Sequence, residues 1–152
     1  NLISLKKNIN ILLKTYDTLI IENFIGGQEI QVAVLNGKAL GAIELVPKRL
    51  FYDYKAKYTK EAKTKHIIPP RLESDLIKKV EGLGLDAHKL LGCKGISRTE
   101  FILDKVTKKF YILELNTQPG MTPTSLVPEI ANYKGINFDN LINWILLDAT
   151  QN

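Results

Sequence analysis

Four residues that could do chemistry fall at alternate positions of two short segments: Arg98 and Glu100 within residues 97–104, Glu114 and Asn116 within residues 110–117. Both segments have the β-branched and aromatic content of strands and the period-two alternation that goes with them. With Val106, Thr107 and Lys108 as the loop of an antiparallel hairpin, Glu100 falls opposite Glu114 and Arg98 opposite Asn116, while Phe101 faces Leu113 and Leu103 faces Tyr111. Directly opposed side chains hold their Cβ atoms about 5 Å apart, where two carboxylates repel unless a cation or a proton sits between them. A shared divalent metal removes that conflict. Carboxylate oxygens and the amide oxygen of Asn116 are hard donors, which suit Mg²⁺ or Mn²⁺ better than zinc, and Mg²⁺ completes its shell with water and phosphate oxygens. The same pattern also fits a solvated polar face carrying an Arg98–Glu100 ion pair, and the hairpin alone leaves both readings open.

The elements that must position this hairpin follow from periodicity. Ser4 as N-cap and Leu5, Ile9, Leu12 and Leu13 at helical spacing predict a helix ending before Asp17. Residues 18–25 are apolar and β-branched, residues 29–35 alternate, and residues 38–46 complete a predicted antiparallel meander, with Gly26-Gly27 and Asn36-Gly37 as its turns. Pro47 ends the third strand, and an irregular segment runs to Pro69-Pro70. Leu76, Ile77, Val80, Leu83, Ala87 and Leu90 trace one helical face over residues 74–91, against the cost of Gly82 and Gly84, about 1 kcal/mol each. After the hairpin, a turn-rich passage leads to a helix from Ser125 to Gly135, and Phe138, Leu141, Ile142, Ile145 and Leu146 mark a last helix. This order predicts an α+β fold with one mixed but mainly antiparallel sheet.

A chain of 152 residues, 45% hydrophobic, suffices for one globular core. The formal charge of +5 suits an anionic ligand, but the lysines are scattered and aromatic residues do not interleave with them, so a nucleotide or phosphate is expected rather than a nucleic acid. Cys93 is the only cysteine, which excludes an intramolecular disulfide and is consistent with a reducing cytoplasm. No apolar run is long enough to cross a bilayer, and no signal-peptide pattern opens the chain, so no membrane partner is expected. His66 and His88 are expected to be surface or helix residues.

The run Phe51-Tyr52-Asp53-Tyr54-Lys55-Ala56-Lys57-Tyr58 and the run Leu113-Glu114-Leu115-Asn116-Thr117-Gln118-Pro119-Gly120-Met121-Thr122 resemble the D-alanine–D-alanine ligases of the ATP-grasp superfamily, and Ser125-Leu126-Val127-Pro128 continues the match. The resemblance implies an ATP-grasp C-terminal subdomain, a mainly antiparallel sheet with flanking helices. It also implies a partial domain over residues 1–152, the C-terminal portion of a larger cytoplasmic ligase whose N-terminal substrate domain and phosphate-loop subdomain are absent here. The implied partners are ATP and D-alanine, with Mg²⁺ or Mn²⁺, and a homodimer of the complete enzyme. Two D-alanine molecules would be joined through an acyl phosphate for peptidoglycan synthesis, the isolated chain being inactive. Ligases making D-alanine–D-lactate or D-alanine–D-serine are the alternative, and a non-catalytic nucleotide- or RNA-binding module is a further one.

Residue by residue, the resemblance implies that Glu22 and the backbone near Ile25 meet the adenine, Glu29 the ribose hydroxyls and Phe51 the base face. Lys57 would contact phosphate and Tyr58 would secure the loop over substrate, while Lys55 stays solvated. Glu100, Glu114 and Asn116 would be metal ligands, Arg98 and the Gly120 backbone would steady the developing oxyanion, and Ser125 and Leu126 would receive the second substrate's carboxylate. The family usually has aspartate where this chain has Glu100.

Overall fold

The computed structural model describes residues 1–47 and 64–151. Along them run helix α1 (Leu2–Leu12), strands β1 (Gly27–Leu35), β2 (Lys38–Val46) and β3 (Lys65–Ile67), helix α2 (Ser74–Leu90), strands β4 (Ile96–Asp104) and β5 (Phe110–Asn116), and helices α3 (Leu126–Tyr133) and α4 (Phe138–Gln151). The five strands form one sheet in the order β3-β2-β1-β4-β5. Every pairing is antiparallel, so the sheet is not mixed as the sequence suggested. None of the helices among the described residues is long and apolar enough to cross a membrane.

Alternation along the two central strands splits the core into two clusters. Ala33, Leu35, Ile43 and Ile96 turn to one face and pack on Val127, Ile130 and Ala131 of α3 and Leu141 of α4. Ile30, Val32, Ala42 and Phe101 turn to the other face and pack on Val80 of α2. Helices therefore cover both faces, and α1, which has no buried residue, belongs to neither cluster. Its N-cap is Asn1, whose side chain accepts the Ser4 N–H at 2.9 Å, in place of the expected Ser4.

Three expectations fail for physical reasons. Residues 18–25 have strand propensity but no strand, since β1 already has β2 and β4 on its two edges, and Ile20, Ile21 and Phe24 stand exposed. Gly27 is not a turn residue; it opens β1, where a Cβ would collide with the Leu103 carbonyl. Within the expected loop, β3 pairs with β2, His66 lying opposite Leu45. The calls on Phe51, Lys55, Lys57 and Tyr58 lie outside the described residues.

Polar side chains pin the fold at three places. Glu44, almost fully buried, accepts from the Arg71 guanidinium at 2.7 and 3.1 Å, from the Arg71 backbone N–H at 3.0 Å and from Gln28 at 3.3 Å. Burial by itself would raise the Glu44 pKa, but these hydrogen bonds to its ionised form more than offset that and lower it. Asp104 caps the hairpin loop by accepting the Val106 and Thr107 N–H groups, both at 2.7 Å, and those bonds, the Thr107 one foremost, depress its pKa. His88 is buried rather than superficial, with Nδ1 2.7 Å from Ser97 Oγ on β4. Its pKa is lowered, by burial first and by the Lys89 charge second.

The two glycines of α2 do opposite things. A Cβ on Gly84 would meet Val32 Cγ1 at 2.6 Å, so the glycine lets helix and sheet approach, whereas a Cβ on Gly82 would meet nothing within 4 Å. Gly84→Ala should therefore destabilise by about 1–3 kcal/mol, the cost of overpacking. Gly82→Ala should stabilise by about 0.5–1 kcal/mol through helix propensity. Chemical denaturation of both variants checks the opposed signs.

A second expectation concerns pH. A histidine whose pKa is lower in the folded state binds its proton preferentially when unfolded, so stability falls as pH drops below the unfolded value near 6.5. Stability measured from pH 7.5 to 5.5 should fall more steeply for the parent than for His88→Asn. That window lies above the range in which Glu44 and Asp104, both depressed, would begin to lose their contributions.

Candidate active site

The β4–β5 register puts Glu100 opposite Glu114 and Arg98 opposite Asn116, as the spacing predicted. Beyond Glu100 it shifts: Phe101 pairs with Ile112 and Leu103 with Phe110, rather than with Leu113 and Tyr111, because a bulge leaves Leu113 without an opposite residue. The apolar face of β5 is accordingly less covered than expected, Tyr111, Ile112 and Leu113 being 38–52% exposed.

β1 brings Gln31 opposite Glu100 on the other side of β4, and β2 and β3 bring Leu45 and His66 to the same face. Together with the passage after β5 they line a cavity of about 690 Å³, which gathers Arg98, Glu100, Glu114, Asn116, Gly120, Ser125 and Leu126. Glu29, two residues from Gln31 on β1, is buried and accepts from Gln31 Nε2 at 3.1 Å. Glu22, exposed, and Ile25, half-buried, lie between α1 and β1 and do not line this cavity.

The electrostatics of the floor are unbalanced. Arg98 has 15% of its side chain exposed, and its Nε is buried with no hydrogen-bond partner among the described residues. Its only ion pair there reaches Glu114, not Glu100 as expected of a solvated face, and is long at 3.9 Å, with Glu114 54% exposed. Gln31 Oε1 is likewise buried without a partner. Both atoms are themselves shielded from solvent, and leaving either unmet costs about 1–3 kcal/mol.

The wall opposite is a helix start. Ser125 stands at the N-cap of α3 with extended backbone but caps nothing; its Oγ accepts the Thr122 N–H at 3.0 Å and lies 2.8 Å from Thr122 Oγ1. The first bond inside the helix runs from the Glu129 N–H to the Ser125 carbonyl, and Pro128 has no N–H to offer. Leu126 and Val127 thus present open N–H groups where the helix dipole favours an anion. Gly120 approaches closely, a Cβ there standing 3.2 Å from Ser125 Oγ.

Among the described residues, no group of three or more His, Cys, Asp or Glu side chains converges to hold a metal by itself. The donors present still suit Mg²⁺, which needs only one or two carboxylates besides substrate phosphates. Glu100 and Glu114 are direct neighbours, and Asn116 Oδ1, which accepts the Gln118 N–H at 2.8 Å, keeps a second lone pair.

Residues not singled out from sequence also line the cavity: Gln31, Leu45, His66, Gln118, Thr122 and Thr124. Gln31 had a signal, as a polar residue on the same strand face as Glu29. His66 had none, because its facing partner Glu129 is 63 residues away.

Sheet, flanking helices and cavity together form the C-terminal subdomain of an ATP-grasp domain, and solved structures agree. The D-alanine–D-alanine ligase from Bacillus anthracis complexed with ATP superposes with a TM-score of 0.78 at 29% identity, over 96% of this chain and 48% of that one. A second structure of the Bacillus anthracis enzyme gives 0.80 over 97% of this chain. Residues 1–147 match the family described as D-ala D-ala ligase C-terminus, and the chain belongs to that family. Among curated relatives, the D-alanine–D-alanine ligase of Pelagibacter ubique is 56% identical over 96% of this chain and 47% of its own length. That of Rickettsia massiliae is 53% identical over 88% and 42%. The chain thus spans about half the length of these relatives.

If the opposed glutamates await a cation, each is a local liability without it. Glu100→Gln and Glu114→Gln should leave thermal stability in chelator unchanged or raised, because the long Arg98–Glu114 contact is worth about 0–1 kcal/mol at most. Both should shrink the stabilisation gained from Mg²⁺ plus nucleotide. Loss of stability in chelator with the full ligand-induced gain would exclude the metal role.

Proposed function

We propose that the chain supplies the nucleotide, metal and second-substrate groups of an enzyme that joins two D-alanine molecules, at the expense of ATP, for peptidoglycan synthesis. The observation that carries this reading is the meeting, in one cavity, of an arginine, a pair of opposed carboxylates and a helix start with open N–H groups. Family membership and the ATP-complexed relative support it.

In this reading the first D-alanine carboxylate attacks the γ-phosphorus, giving an acyl phosphate and ADP. The amine of the second, as free base, attacks the acyl carbon, and the tetrahedral oxyanion collapses with expulsion of phosphate, which carries off the proton that the nitrogen gives up. Glu100, Glu114 and Asn116 would hold Mg²⁺ or Mn²⁺, which when bound offsets the charge of the nucleotide phosphates. Arg98 and the Gly120 N–H stabilise the oxyanion, and preorganised donors of this kind are often worth a few kcal/mol each. Ser125 and the open N–H groups at Leu126 and Val127 receive the second carboxylate, fixing the amine for attack. Glu22 and the Ile25 backbone serve the adenine, Glu29 the ribose and Phe51 the base face. Lys57 meets the transferring phosphoryl group as a movable point charge, and Tyr58 secures the loop that carries it.

Two measurements test the assignment. In a full-length ligase carrying this chain, Arg98→Met should lower kcat by about 10²–10³ with little change in the KM for ATP. The chain alone, about half the length of its curated relatives, should release no phosphate on addition of D-alanine and ATP. An Arg98 variant with unaltered kcat would remove that residue from the reaction, and D-alanine-dependent release by the chain alone would show that it needs no further part.

A further inference from the structure

His66 reaches the cavity from β3, and its Nδ1 lies 2.8 and 3.0 Å from the two carboxylate oxygens of Glu129 on α3. A carboxylate only accepts, so the ring donates its Nδ1–H, whether it is neutral or protonated. Glu129 belongs to the first turn of α3, its N–H bonded to the Ser125 carbonyl at 3.0 Å. Side chains on a helix lean toward its N-terminus, so an unrestrained Glu129 carboxylate would swing toward the open N–H groups of Leu126 and Val127. There it would compete with, and repel, any anion received at the helix start.

We propose that His66 is a positioning residue for the second substrate: by holding the Glu129 carboxylate against β3, it keeps that charge off the α3 N-terminus, so that the helix start can take a substrate carboxylate. The inference rests on the assignment of that helix start to the second D-alanine. The helix has little to spare, since Pro128 offers no N–H and Ser125 Oγ, which already meets Thr122, has at most its one O–H to give. Both side chains are about 30% exposed, so the pair contributes little as a stability bond and its effect falls on the neighbouring anion site.

The test is steady-state kinetics of a full-length ligase carrying this chain, with KM resolved for the first and second D-alanine. His66→Leu, which keeps bulk and removes the donor, should raise the second KM by about tenfold, the scale of one like charge within several ångströms at a protein surface, while kcat and the KM for ATP stay near the parent's. Glu129→Gln alone should change the second KM little, the double variant should return to within about twofold of the parent, and His66→Gln, which can still donate, should resemble the parent. An unchanged second KM in His66→Leu, or a double variant as impaired as His66→Leu, would overturn the proposal and leave the pair a structural clamp between β3 and α3. Thermal unfolding of each variant shows that it folds, and should His66→Leu not fold, His66→Met, which likewise has no donor, carries the same comparison. A parent with no D-alanine-dependent phosphate release would instead overturn the function on which the inference rests, and the inference with it.

Discussion

Glu100 and Glu114 face each other across two hydrogen-bonded strands, and the rest of the molecule is consistent with making that placement inescapable. A side-chain period of two allows no adjustment: a slip of one residue would turn Phe101 out of the core and both glutamates into it. Phe101 is fully buried against the α2 face and stacks edge-on with Phe110 at 6.2 Å, so the register is held by apolar burial on the face opposite the cavity. Hydrophobic packing thus holds two carboxylates opposite each other on the cavity face, beside Arg98.

The two cavity walls are positioned by different means. The floor is sheet: Gln31, Arg98 and Glu100 are neighbours on adjacent strands, and β1 is buried along most of its length. The far wall is the start of α3, seated by Val127, Ile130 and Ala131 against Ala33 and Ile43 of the same sheet face. One face therefore carries core at one end and polar groups at the other, so the distance from Arg98 to the helix start is set by packing rather than by loops. The bulge at Leu113 releases the far half of β5 from strict alternation without disturbing the pair at Glu100 and Glu114.

Local patterns made much of this visible in the sequence. The Asn36-Gly37 turn and the opposition of Glu100 to Glu114 depend on near neighbours along the chain and appear in the structure, whereas the expected face of α2 holds only in part, since Leu90 is 86% exposed and Gly84 and His88 are buried beside Val80. What escaped depends on distant partners. Residues 18–25 look like a strand, but both edges of β1, the neighbour expected for them, are taken by β2 and β4, and β3 is too short to announce itself and exists because β2 has an edge to offer. Gly84 looked like a weakness in a helix until Val32 was seen beneath it. His88 gained its burial and its serine, and His66 its glutamate, from elements that meet only in the fold. The roles of Arg98, Gly120, Ser125 and Leu126 were suggested by family resemblance, while their common cavity is a property of the fold.

The central claim is that the hairpin's polar face is a cation site shared with a nucleotide, and the direct measurement is a crystal structure of a full-length ligase carrying this chain, grown with Mn²⁺ and a non-hydrolysable ATP analogue. Anomalous scattering should place Mn²⁺ between the Glu100 and Glu114 carboxylates, within bonding distance of Asn116 Oδ1 and of the analogue's phosphate oxygens. Analogue bound with no anomalous peak at that pair, and Arg98 closed onto Glu114 in a short ion pair, would contradict it.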